Sequence, residues 1–152
     1  MVTRGEPAPA FELSNQDGDA VSLSSFGGAP LVLYFYPRAS TPGCTVEANE
    51  FASAYEQLSD LGVSVVGVST DSPDALASFA DEQSIPFDLL SDPDGTTARR
   101  YDSLSDGDGA PTAERNTFLI GPDGSIERIF RSVSPEGHAT EITDAIESLA
   151  KP

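Results

Sequence analysis

Two kinds of apolar pattern alternate along the chain, and this alternation constrains the fold more than any other feature. "PLVLYFYP", from Pro30 to Pro37, is apolar on both faces, as expected of a strand inside a covered sheet. From Thr45 to Leu61 apolar residues recur every three or four positions, which indicates an amphipathic helix. The runs "GVSVVGVST", "DSPDALASFADEQ", "PFDLLSD" and "DGTTARRYDSL" repeat the strand and helix patterns in turn. The order predicts an α/β fold with a central mixed β-sheet flanked by helices on both faces.

Hairpin signals lie near both ends of the chain. "FELSNQDGDAVSL" alternates around Asp17-Gly18 and predicts an N-terminal β-hairpin, and "NTFLIGPDGSIERIFRS" predicts a second one that turns at 122–124. "SPEGHATEITDAIESLA" predicts a closing helix. The polar, glycine-rich segment 105–114 is predicted to be a mobile loop, but it is too short to separate domains. We therefore expect one domain over residues 1–152.

The charge is strongly acidic, with 25 carboxylates against 8 basic residues and a formal net charge of −17. Such a surface repels nucleic acid and anionic membranes, so neither is expected as a partner. The charge fits a generic acidic protein, but we favour adaptation to a halophilic, high-salt cytoplasm, where salt screens the carboxylates. The N-terminus has no apolar signal core, and no apolar run is long enough to span a bilayer. These features predict a soluble, cytoplasmic protein.

Cys44 is the chain's only cysteine, and it lies where the first buried strand gives way to the first long helix. A single cysteine cannot form an intrachain disulfide or a thiolate zinc cluster, so it is either an inert buried residue or a reactive one. At a helix N-terminus the free N–H groups would favour the thiolate. In "TPGC", Thr41 could add a hydroxyl, and Gly43 would let the backbone come close to a ligand. An ordinary capped helix with an inert cysteine explains the local spacing equally well.

A wider comparison of motifs favours the reactive interpretation. "FYPRASTPGCTVEANEF" resembles the active-site segment of peroxiredoxins, which are thiol peroxidases with a thioredoxin-like fold. The family pattern of Pro, Thr and Cys is met by Pro37, Thr41 and Cys44, and the following "TVEA" resembles the PrxQ or bacterioferritin-comigratory-protein (BCP) subgroup. "ERNTFLIGPDG" resembles the second family segment and contains Arg115. The likeness runs from "GEPAPAFEL" to "GHATEI", which is nearly the whole chain.

This resemblance implies reduction of hydrogen peroxide or organic hydroperoxides, with Cys44 as the nucleophile that becomes a sulfenic acid. It implies that Arg115 stabilises the thiolate and the peroxide oxygens. Thr41, with the backbone N–H groups of Gly43 and Cys44, would hold the peroxide in line.

The other residues near these motifs take supporting roles or none. Pro37 would shield the pocket from water, and Glu47 would orient Arg115, although a first-turn acid is also favoured by the helix dipole alone. The only histidine, His138, matches a family position that is not catalytic. Tyr34 and Tyr36 are predicted to fill the core or the pocket walls.

The sequence departs from the subgroup at Asn49, where many members carry a resolving cysteine. Without it Cys44 cannot close an intramolecular disulfide, so an external thiol reductant must complete a one-cysteine cycle. This reductant could be a thioredoxin-like protein or a low-molecular-weight thiol. No metal, flavin, haem or other cofactor is expected, and the chain is expected to be a monomer or a weak homodimer.

Two other functions fit the sequence less well. A redox sensor or holdase would use slow oxidation of Cys44 without turnover. A thioredoxin-like disulfide oxidoreductase commonly needs a Cys-x-x-Cys pair, whereas position 41 is threonine. Peroxidase activity is the function that the sequence predicts.

Overall fold

The computed structural model describes residues 3–26, 28–37, 42–105, 112–131, 133 and 137–150. The strands are β1 (Glu12–Asn15), β2 (Ala20–Ser22), β3 (Leu31–Phe35), β4 (Ser64–Ser69), β5 (Asp88–Ser91), β6 (Leu104–Ser105), β7 (Thr112–Ala113), β8 (Thr117–Ile120) and β9 (Ile126–Phe130). The helices are α1 (Pro42–Asp60), α2 (Pro73–Gln83), α3 (Thr96–Arg100) and α4 (His138–Ala150), with a 3-10 turn at Leu23–Phe26.

In the described part of the chain, seven strands form one sheet in the order β2-β1-β5-β4-β3-β8-β9. The three central strands β5, β4 and β3 are parallel, and the outer pairings are antiparallel. The parallel strands arise because α1 and α2 each carry the chain back across the sheet. The predicted mixed sheet with flanking helices and an N-terminal hairpin is therefore confirmed.

Each face of the sheet carries its own apolar cluster. Alternate residues of β3 separate the two clusters: Tyr34 packs with α1, α2 and α4 on one face, and Phe35 packs with α3 and the N-terminal hairpin on the other. All five residues of β3 are buried, as its apolar sequence predicted. Because β3 is buried on both faces, its carboxyl end is held rigidly in the core, close to the start of α1.

Most local predictions are met, and two differ. Ser72 is the N-cap of α2, with its Oγ accepting from the Ala75 N–H at 3.2 Å, and Pro73 follows in the first turn. Helix α1 begins at Pro42, three residues before the apolar periodicity starts, because proline fits the first helical position without a donor. The predicted loop 105–114 differs at its ends, because Ser105 belongs to β6 and Thr112–Ala113 form β7, and these two short strands pair with each other. Residues 106–111 lie outside the described part.

Candidate active site

Cys44 lies in the first turn of α1, beyond the carboxyl end of β3. Its side chain is buried, with 2% of its surface exposed. Gly43 precedes it in the helix, and Pro37 lies half-buried between β3 and α1. Thr41, whose hydroxyl was predicted to help hold the peroxide, lies outside the described residues. The thiol thus lies beyond the carboxyl end of a central parallel strand, where open α/β sheets commonly bind ligands.

The register of β8 against β3 explains why Arg115 reaches Cys44, 71 positions away in sequence. Thr117 is paired with Tyr34, and the Phe35 N–H donates to the carbonyl of Asn116 at 2.8 Å. Because β8 runs antiparallel to β3, the residues just before β8 lie at the carboxyl end of β3. Arg115 therefore lies at the edge of the sheet where α1 begins.

Backbone and side-chain bonds on both sides hold the Arg115 segment. The carbonyl of Arg115 accepts from the Val133 N–H at 2.9 Å. The buried Asn116 donates from Nδ2 to Ser103 Oγ at 3.0 Å. Asn116 was not singled out in the sequence, because an asparagine before a strand gives no signal of a long-range bond. These bonds fix the direction from which the guanidinium approaches the thiol.

The Arg115 guanidinium connects the two acidic groups of the site. Nη2 lies 3.4 Å from Cys44 Sγ, and Nη1 donates to Glu47 Oε1 at 2.7 Å. Burial acts to lower the pKa of Arg115, but attraction to Cys44 and Glu47 outweighs it and the pKa is raised. A planar guanidinium suits this geometry because its donors are held in fixed directions. The structure therefore brings three of the predicted site residues together.

Glu47 is far more buried than its place in the first turns of a helix suggested, with only 1% of its surface exposed. Burial raises its pKa to about 7, although the charge of Arg115 and its hydrogen bond both act to lower it. Among the described residues, Oε2 of this carboxyl has no hydrogen-bond partner. An uncompensated buried oxygen is costly for the ionised form, so Glu47 changes charge near neutral pH.

This shift predicts that Glu47 makes the fold less stable as pH rises. The folded state binds more protons than the unfolded state between the ordinary pKa of 4.5 and about 7. The contribution of Glu47 to the free energy of unfolding is therefore greatest below pH 4.5 and is lost as pH rises from 4.5 through about 7. The steepest loss is about 1.4 kcal/mol per pH unit. We expect Glu47→Gln to lack this slope.

The measurement is the free energy of unfolding by denaturant at a series of pH values. Glu56→Gln is the matched control, because Glu56 is an exposed acid on the same helix. Parallel curves for the wild type and Glu47→Gln would contradict the raised pKa of Glu47.

Two tyrosines, Tyr34 in β3 and Tyr36 just after it, lie beside these groups with their hydroxyls buried. Tyr34 stacks on Phe51 at 4.7 Å, and an added Cβ on Gly67 would lie 2.8 Å from its Cζ. Burial, with smaller contributions from neighbouring acidic groups, raises the pKa of both Tyr34 and Tyr36. Both were expected to fill the core or the pocket walls, and both are buried. What the sequence did not reveal is that their hydroxyls come so close to the charged groups.

Neither tyrosine hydroxyl forms a hydrogen bond among the described residues. Ser69 lies close enough to Tyr36 to act against the larger effect of burial and lower its pKa, but the Ser69 hydroxyl donates to Asp71 Oδ2 at 2.7 Å. Both phenols therefore stay uncharged at neutral pH and add no anion to the site.

His138 and Asn49 lie on helices that pack near the site. His138 Nε2 is 2.7 Å from Thr117 Oγ1, and Nδ1 is 2.9 Å from Glu141 Oε1, so the ring joins α4 to β8. Burial lowers the pKa of His138, with Glu141 opposing the shift. Asn49 Nδ2 donates to Gln83 Oε1 at 3.0 Å and joins α1 to α2.

The described residues contain no group of three His, Cys, Asp or Glu side chains placed to hold a metal ion. In the same residues, no helix combines the length and apolar character required to cross a bilayer.

Comparison with known proteins places this geometry in a family. The AhpC/TSA family model matches residues 4–129. The putative peroxiredoxin bcp of Coxiella burnetii is 41% identical over 142 residues, covering 91% of this chain and 94% of the relative. Peroxiredoxin Bcp of Escherichia coli is 38% identical over 138 residues, covering 88% of each chain.

Solved structures agree with the sequence relatives. Peroxidoxin BcpB of Mycobacterium tuberculosis superposes with a TM-score of 0.92 at 32% identity, covering 99% of this chain and 100% of the other. The BCP of Xanthomonas campestris, described by its alkyl peroxide reduction activity, has a TM-score of 0.87 at 34% identity and covers 93% of this chain and 92% of its own. The fold is the thioredoxin-like fold of peroxiredoxins, and the chain belongs to the AhpC/TSA family of thiol-dependent peroxidases, with its relatives in the PrxQ and BCP subgroup.

Proposed function

We propose that this antioxidant peroxidase reduces hydrogen peroxide and organic hydroperoxides through a one-cysteine cycle centred on Cys44. The observation that supports it best is the 3.4 Å contact between Cys44 Sγ and Arg115 in a chain with one cysteine. A cation at this distance stabilises the thiolate, which is the nucleophilic form of cysteine. The alkyl peroxide activity named for the Xanthomonas campestris relative supports organic hydroperoxides as one substrate class.

In the first half of this cycle the thiolate attacks the terminal oxygen of the peroxide. The S–O bond forms as the O–O bond breaks, the sulfur is oxidised to Cys44–SOH, and the leaving oxygen takes a proton to become water or an alcohol. Arg115 stabilises the negative charge that develops on the oxygens. Thr41 and the N–H groups of Gly43 and Cys44 align the peroxide, and Pro37 excludes water.

In the second half an external thiol attacks the sulfenic acid, which releases water and leaves a mixed disulfide on Cys44. A second thiol then displaces Cys44, which regenerates its thiol and forms the oxidised reductant. This reductant is a thioredoxin-like protein or a low-molecular-weight thiol. Asn49 occupies the position of the subgroup's resolving cysteine, and its side chain is bonded to Gln83.

We also propose that residues 1–152 act as one domain, as a monomer or weak homodimer, in the cytoplasm of a halophilic cell. The composition supports the halophilic setting, because the net charge of −17 is tolerated best where salt screens it.

The one-cysteine cycle predicts how the wild type and Asn49→Cys differ. With hydrogen peroxide alone, the wild type should stop after one equivalent, with a trappable sulfenic acid on Cys44. Multiple turnovers should require an added thiol. Asn49→Cys should instead form an intramolecular disulfide and lose its free thiols after one equivalent. Mass spectrometry of the oxidised proteins and the stoichiometry of peroxide consumption measure both outcomes.

Helix geometry sets a condition on the new disulfide. Two α-helical residues five apart have Cα atoms roughly 8.6 Å apart, beyond the reach of about 7 Å for a disulfide, so the start of α1 must unwind. Asn49→Ser is the control, because it also loses the bond to Gln83 but adds no thiol. Peroxide consumption without a sulfenic acid at Cys44 would contradict the cycle, and oxidation without turnover under any thiol would favour a redox sensor or holdase.

A further inference from the structure

The carboxyl of Glu47 is placed to do more than hold Arg115. Oε1 is used by the guanidinium at 2.7 Å, but Oε2 is buried with no partner among the described residues. Cys44 and Glu47 are three residues apart on α1, so their Cβ atoms lie about 5–6 Å apart on one side of the helix. The same guanidinium contacts both side chains. A small molecule bound at Cys44 Sγ therefore lies beside the guanidinium that also binds the Glu47 carboxyl.

The charges around this pair favour one shared proton. Among the described residues Arg115 is the one cation that contacts it, and against that one positive charge a thiolate and a carboxylate together leave one excess negative charge in a buried site. Glu50, on the same helix, adds further negative charge. Tyr34 in β3 and Tyr36 just after it have raised pKa values and stay uncharged at neutral pH. His138 on α4 has a lowered pKa, so its ring is uncharged at neutral pH. The favourable state has either a thiol with a carboxylate or a thiolate with a carboxylic acid.

We propose that Glu47 stores the proton of the peroxidase cycle, accepting it when Cys44 becomes a thiolate and returning it to the leaving oxygen. This inference rests on the proposed role of Cys44 as the nucleophile. The first step converts Cys44–SH and Glu47–COO⁻ into Cys44–S⁻ and Glu47–COOH. The thiolate then attacks HO–OR, the O–O bond breaks to give Cys44–SOH, and Glu47–COOH gives its proton to RO⁻ to form ROH. The two steps balance, with no other co-reactant.

The leaving oxygen of the peroxide needs a proton donor. Hydroxide and alkoxide are strongly basic, so a donor titrating near the working pH contributes to the transition state. The pKa of Glu47, about 7, suits this task. A peroxy acid differs because its leaving group is a carboxylate, which needs no proton at neutral pH. The benefit of Glu47 should thus depend on the peroxide.

The test measures second-order rate constants of Cys44 oxidation by stopped flow for the wild type and Glu47→Gln. We expect Glu47→Gln to lose roughly 10²-fold with hydrogen peroxide, within the range of general acid catalysis, and to be little changed with peroxyacetic acid. Glu56→Gln, which changes an exposed acid on α1, should match the wild type with both oxidants.

A second readout separates proton storage from simple positioning of Arg115. In Glu47→Gln no buried carboxylate competes with the thiolate for Arg115, so the ultraviolet absorbance of the thiolate at neutral pH should be no lower than in the wild type. Loss of Arg115 positioning predicts the reverse, with less thiolate and an equal loss of rate for every oxidant. That pattern would overturn the inference.

The wild type alone decides the matter if Glu47→Gln does not fold. Below the pH at which the peroxy acid ionises, the hydrogen peroxide rate divided by the peroxyacetic acid rate should fall as pH rises through about 7. A ratio of the two rates that stays constant with pH would overturn the inference that Glu47 stores the proton. The proposed function fails in a different way, by wild-type oxidation no faster than that of an unperturbed thiol with either oxidant.

Discussion

Cys44→Ser is expected to reduce peroxidase activity to the background rate, a loss on the order of 10⁶-fold. A serine hydroxyl is not ionised at neutral pH, and it does not reduce peroxides. The replacement is nearly the same size as the original, so the buried site keeps its packing. Peroxide consumption with an added thiol measures the loss, and circular dichroism checks the fold. Measurable turnover by a folded Cys44→Ser protein would contradict the assignment of Cys44.

Arg115→Ala is expected to slow oxidation of Cys44 by hydrogen peroxide by roughly 10²–10³-fold, the usual cost of removing a donor that stabilises developing charge. Nη2 is 3.4 Å from Cys44 Sγ, and no other cation contacts the sulfur among the described residues. Stopped-flow oxidation of the reduced protein measures the effect. Arg99→Ala is the matched control, because Arg99 is exposed on α3.

Arg115→Lys distinguishes charge from geometry. An ammonium keeps the positive charge but cannot reproduce the two-armed contact with Glu47 and Cys44. We expect Arg115→Lys to recover only part of the rate. Full recovery would show that charge alone matters, and an unchanged rate in Arg115→Ala would remove Arg115 from the mechanism.

The fold was predictable because its sequence patterns are local. The apolar run of β3, the periodicity of α1 and the turn at Asp17-Gly18 each report on a few neighbouring residues. The start of α1 was missed by three residues because the first helical turn carries little periodic signal. The short β6–β7 pair was missed because two-residue strands have no period to detect.

The motifs made the residues of the candidate site predictable, but they did not make its electrostatics predictable. The two motif segments pointed to Cys44 and Arg115, and the structure brings these side chains into contact. The nearly complete burial of Glu47 could not be predicted, because an acid in the first turns of a helix is ordinarily solvated. The contact of His138 with Thr117 likewise depends on how α4 packs against β8.

The register between β3 and β8 has a consequence for how the thiol behaves during the life of the protein. Cys44 and Arg115 meet only because Tyr34 is paired with Thr117, so their contact exists only in the assembled sheet. A nascent or unfolded chain carries a cysteine without its guanidinium, and that cysteine reacts like an unperturbed thiol. With Arg115 in its proposed role, the rate of Cys44 oxidation reports on correct strand pairing, and a chain that has not yet folded is expected to be oxidised more slowly than the folded protein.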